Sequence, residues 1–361
     1  MAKSVKAAPR RSRSLELLGK EAFHVGVDVH KRSYHVACWS ASSGLLASWV
    51  QPASPILLIE KLRPFQRNCV RMVYEAGPTG FSLVRELRAA GFEAEVVAPS
   101  KLLVLPGPDS KSDRLDCKRL ALFSEKKLLT FVRVPTVQEE ADRQVVRLRE
   151  QLVRKSRSVQ QQIKSFLLQF GIAEPYGLAN WSKAAVAQLQ EIDLCSELRF
   201  CLDVLLDEYR RTKEQLARIQ QEIRKLARQE RHQDSIGVLR TVPGVGLITS
   251  IVFRTELIAP NRFRDGRQVA RMIGLAPNIR ESGETRHEGG IMRSGNGRLR
   301  SVLVEAAWRW VAGDLGAAET YRRLVRNTGS AKKAIVAMAR RLGILLWRMS
   351  VQQEPYRPQP T

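Results

Sequence analysis

Four carboxylates stand where they could share a metal. Asp28 closes an apolar, β-branched run that starts at Ala22 (A-F-H-V-G-V-D), and Glu75 closes a second such run from Val70. Asp113 and Asp116 lie three apart in a helical pattern, which puts both on one helix face. Packed carboxylates repel one another and shift in pKa unless a cation neutralises them, and hard oxygen donors select Mg²⁺ or Mn²⁺. Two such ions about 3.5–4 Å apart would stabilise both the attacking and the leaving oxygen of a phosphodiester. Taken singly, each acid also fits a turn residue, a solvated strand end or a helix cap. Their joint placement in a chain of net charge +24 is what points to metal chemistry on nucleic acid.

Two further constellations bear on phosphate. The P-G-V-G of Pro243–Gly246 lies between helical patterns, where Gly244 and Gly246 would let backbone N–H groups and the next helix N-terminus approach a phosphate. It resembles a helix-hairpin-helix turn, and a tight turn without a ligand explains it as well. The second runs R-E-S-G-E-T-R-H-E-G-G from Arg280, then I-M-R-S-G-N-G-R-L-R to Arg300. Arg280, Arg286, Arg293, Arg298 and Arg300 offer planar forks for phosphate oxygens. Ser282, followed by Gly283, is a hydroxyl that a backbone can approach closely, as phosphoryl transfer to a protein side chain requires. A solvated arginine-rich loop that clamps nucleic acid accounts for the same residues.

The elements that must position these groups read as α/β first and all-α afterwards. Strand patterns over Ala22–Asp28, Ser33–Ser40 and Leu45–Val50 form a β-meander. A helix (Ile56–Gln66), strand (Val70–Glu75), helix (Phe81–Ala90) and strand (Glu93–Ala98) follow, the order of a ribonuclease-H-like fold. In such a sheet the first and fourth strands are neighbours, so Asp28 and Glu75 fall side by side, and a helix starting near Ser112 delivers the two aspartates across them. Helical spacing over Val137–Gly171 and again over Ser196–Arg231 predicts two long helices in an antiparallel hairpin, with a helical connection over Glu174–Leu194. Leu216, Ile219, Ile223 and Leu226 fit either packing within one chain or coiled-coil self-association. Ser282–Gly297 is too polar for core, and Arg298–Trp310 and Tyr321–Ser350 are helical.

Composition limits the partners. The 361 residues carry 60 Lys and Arg against 36 Asp and Glu, a balance that repels itself unless it meets a polyanion. No stretch reaches the roughly 18 apolar residues of a membrane span, and the N-terminus lacks an apolar signal core, so a soluble, cytoplasmic protein is expected. Five scattered cysteines form no C-x-x-C pair and suggest neither a zinc site nor a disulfide framework. Met1–Lys20 holds six basic residues and one acid and reads as a disordered basic arm.

The chain resembles the bacterial insertion-sequence transposases with an Asp-Glu-Asp-Asp (DEDD), RuvC-like domain, the IS110 family. Six ordered blocks carry the resemblance: G-V-D-V-H-K (Gly26–Lys31), Y-E-A-G-P-T-G (Tyr74–Gly80), K-S-D-R-L-D-C (Lys111–Cys117), V-P-G-V-G (Val242–Gly246), G-L-A-P (Gly274–Pro277) and E-S-G (Glu281–Gly283). It implies that Asp28, Glu75, Asp113 and Asp116 bind the metal and that Ser282 is the nucleophile of a covalent phosphoserine link to DNA. It further implies a structured non-coding guide RNA, donor and target DNA as partners, and a homodimer or homotetramer. Ser112 stands where Thr is commoner and Cys117 where Ala is usual, and neither removes a carboxylate. The expected organisation is a basic arm (1–20), a RuvC-like domain (21–135), a helical hairpin or coiled-coil linker (136–232) and a C-terminal serine-bearing domain (233–361). A non-catalytic nucleic-acid-binding relative and a metal-only junction nuclease are the alternatives. The first has no need of four acids that repel its ligand, and the second leaves Ser282 without a role.

Overall fold

A computed structural model describes residues 15–77, 79–98, 113–282, 285–292 and 294–358, with the side chains of 15–16, 113–115, 279–282 and 285–288 excepted. It divides into two compact units, residues 1–135 and 136–361.

The first unit is built on a mixed sheet of order β3-β2-β1-β4-β5-β6. Its strands are β1 (Phe23–Val29), β2 (Ser33–Ser40), β3 (Gly44–Pro52), β4 (Cys69–Glu75), β5 (Ala94–Val97) and β6 (Phe131–Val132), with helices α1 (Pro55–Leu62), α2 (Ser82–Ala89) and α3 (Asp113–Glu125). β1–β2–β3 is the antiparallel meander, while β1–β4 and β4–β5 are parallel. One face packs Phe23, Val25, Leu58, Leu62, Tyr74 and Leu87 into a core, and on the other Val73 and Val97 meet Leu120 of α3. β6, a two-residue antiparallel edge, is too short to leave a periodic signal. Within the expected basic arm, Leu15–Gly19 forms a 3₁₀ turn that buries Leu18, because Leu17 and Leu18 give it an apolar side. Residues 1–14 of that arm lie outside the described residues.

The second unit is helical apart from one hairpin. It contains α4 (Val137–Gln169), α5 (Lys183–Glu191), α6 (Ser196–Ala227), α7 (Glu230–Leu239), α8 (Leu247–Leu257), α9 (Gly266–Ile273), β7 (Pro277–Ser282), β8 (Thr285–Ile291), α10 (Gly297–Gly313), α11 (Leu315–Thr328) and α12 (Ala331–Gln352). A full capping box starts α4: Thr136 accepts from the Glu139 amide and Glu139 accepts from the Thr136 amide. α4 and α6 run antiparallel. Lys155 and Glu208 pair at 2.7 Å near the middle, Val146 and Ile223 share a core at one end, and Ile163 and Leu202 share another at the opposite end. Leu216, Ile223 and Leu226 are buried within the chain, which accounts for most of their periodic stripe.

Two sequence expectations change here. The helical stretch Tyr321–Ser350 is two helices, because Gly329 takes a left-handed conformation (φ +62°) and Ser330 caps α12 through the Lys333 amide. The stretch Ser282–Gly297, read as too polar for core and with a solvated arginine-rich loop as one alternative, instead contributes to the hairpin β7–β8, which begins at Pro277. A sequence rich in Arg, Glu, Ser, Thr and Gly lacks the apolar alternation by which strands are recognised. Among the described residues no helix is long and apolar enough to cross a membrane.

Candidate active site

The first unit places its acids by strand register. The last registered β1–β4 pair is Val27 with Tyr74, so Asp28 and Glu75 are the next residues at the C-terminal ends of adjacent parallel strands. Alternation along a strand decides which way they face. His24, Gly26 and Asp28 share a side of β1, and His24 Nδ1 lies 2.9 Å from Ser124 Oγ on α3. Val73 and Glu75 share a side of β4, and Val73 packs on Leu120 of α3. Both acids therefore stand on the face that α3 covers.

Gly26 sets how closely α3 approaches. A Cβ there would run into the Cys117 carbonyl oxygen and come within 2.6 Å of the Ala121 nitrogen. The helix thus rests on bare backbone with Cys117 beside β1, and the half-buried Asp116 immediately precedes it. Burial first, then the nearby Asp28 charge, push the Cys117 thiol up to about 11. Asp113 is the first residue of α3, and its side chain lies outside the described residues. On the Glu75 side, Tyr74 donates its hydroxyl to the Gly80 carbonyl (3.1 Å) and the Ala76 amide donates to Val97 (2.8 Å), which fixes the turn after the strand.

Two histidines that the sequence reading passed over complete this edge. His30 Nε2 lies 3.1 Å from Asp28 Oδ2, and His35 is the residue opposite Asp28 on β2. Their rings meet edge-on at 5.6 Å. The signal was present in part: the histidine of G-V-D-V-H-K follows its aspartate by two positions, one residue past the end of β1, where its amide donates to the Ser33 carbonyl.

Among the described residues no three His, Cys, Asp or Glu side chains close on one point tightly enough to hold an ion. The chemistry of the donors nonetheless fits a hard divalent cation, since two carboxylates from adjacent strand ends and one from the covering helix supply only oxygen.

In the second unit Ser282 is the last residue of β7, paired with Thr285 across the turn. Arg280 pairs with His287 and Glu281 with Arg286 in the same register; the side chains of these residues and of Ser282, and the whole of Arg293, lie outside the described residues. Two of the arginines read as phosphate forks are engaged within the protein. Arg298 Nε pairs with Glu150 on α4 at 2.6 Å, and Arg300 Nη1 donates to the Gly274 carbonyl at 3.4 Å. The glycine turn divides its work. A Cβ on Gly244 would come within 2.6 Å of Arg309 Cβ and 2.7 Å of the Trp310 nitrogen, so this glycine allows close packing on α10, whereas Gly246 at the start of α8 faces open space. On α12, Arg341 and Arg348 are exposed.

The chain is similar to known proteins over both units. Residues 25–172 match the family DEDD_Tnp_IS110, described as a transposase, and residues 237–322 match the "Transposase IS116/IS110/IS902 family". It is 33% identical over 298 residues to the putative transposase y4qE of Sinorhizobium fredii, covering 81% of this chain and 72% of that one. The transposase for insertion sequence element IS1328 of Yersinia enterocolitica is 28% identical over 78% of this chain and 82% of its own length. That for IS1111A of Coxiella burnetii is 22% identical, with 76% and 75% covered.

Proposed function

The chain belongs to the IS110 family of insertion-sequence transposases, enzymes that recombine DNA, and on that premise we propose that it cuts and rejoins DNA through a covalent phosphoserine at Ser282, served by the carboxylates Asp28, Glu75, Asp113 and Asp116 of a RuvC-like domain. The observation that carries this reading is the placement of Asp28 and Glu75 at neighbouring strand ends, on the face covered by the helix that bears the two aspartates. The acids would hold divalent cations, Mg²⁺ or Mn²⁺, which supply electrostatic stabilisation of charge on the attacking and leaving oxygens.

The protein's own part is positioning and proton handling. The Ser282 Oγ–P bond forms as the P–O bond to one deoxyribose oxygen breaks, and the serine proton is passed to that leaving oxygen. Attack by a second strand's hydroxyl reverses these changes, so phosphodiester energy is conserved and no ATP is consumed. A structured non-coding RNA would supply the target sequence, and the excess of cations would hold RNA and DNA backbones. A homodimer or homotetramer would let the serine of one protomer serve the carboxylates of another.

A denaturant-resistant protein–DNA adduct is the deciding measurement. It should form with the parent chain in Mg²⁺ and vanish with Ser282→Ala; an adduct that persists in that variant rules out this serine. Mixing Ser282→Ala with Asp28→Asn chains should recover some cleavage if sites are shared between protomers, and no recovery in proven hetero-oligomers means each site is built within one chain.

A further inference from the structure

The Glu256 side chain, near the C-terminal end of α8, is only 2% exposed. Arg147 of α4 grips it with both nitrogens, Nε to Oε1 at 2.8 Å and Nη2 to Oε2 at 3.0 Å, while Arg143 Nε stands 3.9 Å away. The third direct partner is Asn296, whose Nδ2 donates to Oε2 at 2.8 Å. Burial alone would raise this carboxyl's pKa, but the Arg147 and Asn296 hydrogen bonds and the two guanidinium charges outweigh it and hold the group below its usual range.

Asn296 does more than satisfy Glu256. Its Oδ1 caps α10, accepting from the Arg298 and Leu299 amides at 3.0 and 3.2 Å, and its own amide donates to the Met272 carbonyl at 2.7 Å. The residue sits at the root of the β7–β8 hairpin, five positions after Ile291. The rest of that root is clamped as well. The Met292 amide donates to Ala276 at 2.8 Å, and Gly295 presses on Gly274 so closely that a Cβ would come within 2.6 Å of the Arg271 carbonyl. A buried ion pair stabilises a fold weakly compared with apolar packing, so this one is better explained by the geometry it enforces.

We propose that Glu256, with Arg147 and Asn296, forms a positioning network that fixes the root of the hairpin, and so the backbone that carries Ser282, against α4, α8 and α10. Its catalytic consequence rests on the serine reading above; its structural consequence does not. The network acts through the hairpin, and the long helix α4 is part of it, so a displacement of α4 relative to α8 would be felt at the serine strand.

The test uses the full-length chain and three variants. Asn296→Ser keeps a good helix cap while removing the bond to Glu256. Glu256→Gln leaves Arg147 without its charge partner. The double variant Glu256→Gln with Asn296→Asp reverses donor and acceptor and retains one negative charge among the three groups. Hydrogen exchange of the 285–292 amides should accelerate by roughly tenfold or more in Asn296→Ser, and adduct formation should slow by a similar factor, with DNA affinity unchanged. Because Oε2 accepts from Arg147 Nη2 as well as from Asn296, the double variant should restore the contact to residue 296 and recover only part of both losses. If Glu256→Gln fails to fold, Asn296→Ser and its thermal midpoint carry the comparison. Unchanged hairpin exchange in folded Asn296→Ser overturns the inference, and so does accelerated exchange with an undiminished adduct rate. An adduct surviving Ser282→Ala would defeat the serine reading separately, while hydrogen exchange still decides the positioning of the hairpin.

Discussion

The carboxylate edge and the serine hairpin reach their geometry by different means. Asp28 and Glu75 are placed by backbone pairing and alternation, with one side-chain-free position, Gly26, admitting α3. Among the described residues the hairpin pairs only its own two strands, and its root is held by groups distant in sequence: Arg147 with Glu256, Arg298 with Glu150, and Asn296 with Glu256. A further buried pair ties the start of α4 to α7, where Asp142 accepts from Gln138, from both Arg231 nitrogens and from His232 at 2.7–2.8 Å. The carboxylate edge thus depends on close packing, which volume disturbs; the hairpin root and the α4–α7 contact depend on paired charges, which pH disturbs.

The largest effect should come from the acids themselves. Asp28→Asn or Glu75→Gln is expected to cut strand cleavage by at least about a hundredfold while nucleic-acid affinity stays the same or rises, because the lost charge serves the reaction and repels the ligand. Full recombination by either variant in Mg²⁺, or undiminished activity in chelator, would remove these acids from the chemistry. Next is Gly26→Val, which puts a side chain into the backbone of α3. It should destabilise the first unit by about 3 kcal/mol, read by denaturant unfolding, and leave hydrogen exchange in the second unit untouched. Equal loosening of both units would show that they do not fold independently.

Acid should act the other way round. Burial lowers the His232 pKa against the opposing pull of Asp142, so the folded state favours the neutral ring. Between the ordinary value of 6.5 and that lowered one the unfolded chain binds more protons, and stability falls as pH falls through this window. For Asp142 burial works upward, but the Arg231, Gln138 and His232 hydrogen bonds prevail and bring it down to about 2, so its contribution is present above 3.8 and lost on approach to 2. The second unit should therefore loosen at α4 and α7 below about pH 6.5 and further below about 4, and Asp142→Asn should reduce the lower step, leaving the part that the lowered Glu256 contributes. Unfolding curves that stay flat across both windows would show that the pairing does not govern this unit.

The smallest effect separates arginines within the second unit. Binding to duplex DNA should weaken with salt at a log–log slope of about −0.9 per phosphate neutralised. Neutralising Arg340, Arg341 and Arg348 should flatten that slope, whereas Arg298→Gln should change it little, because Arg298 is already paired with Glu150. The reverse ranking would place the nucleic acid along α10 instead of α12.

Much of the first unit was legible in the sequence because a strand's period of two and a helix's 3.6 repeat are local properties. The boundaries of β2 coincide with the expected Ser33–Ser40, and the order of strands and helices through β5 follows the apolar runs. The proximity of Asp28 to Glu75 followed from that order, since the parallel β1–β4 pairing carries no freedom once its register is set. What stayed hidden is what depends on partners far along the chain. Nothing local to Ser282 says that its polar stretch pairs as a hairpin, nor that Gly244 packs against Arg309 and Trp310. Arg298 and Arg300 read as free forks until Glu150 and the Gly274 carbonyl are brought to them. Residue type and periodicity determined which elements form and which chemistry they can carry. Only the tertiary structure decided which charges are consumed by the fold and which remain for a ligand, because an ion pair between residues more than a hundred positions apart leaves no trace in the local sequence.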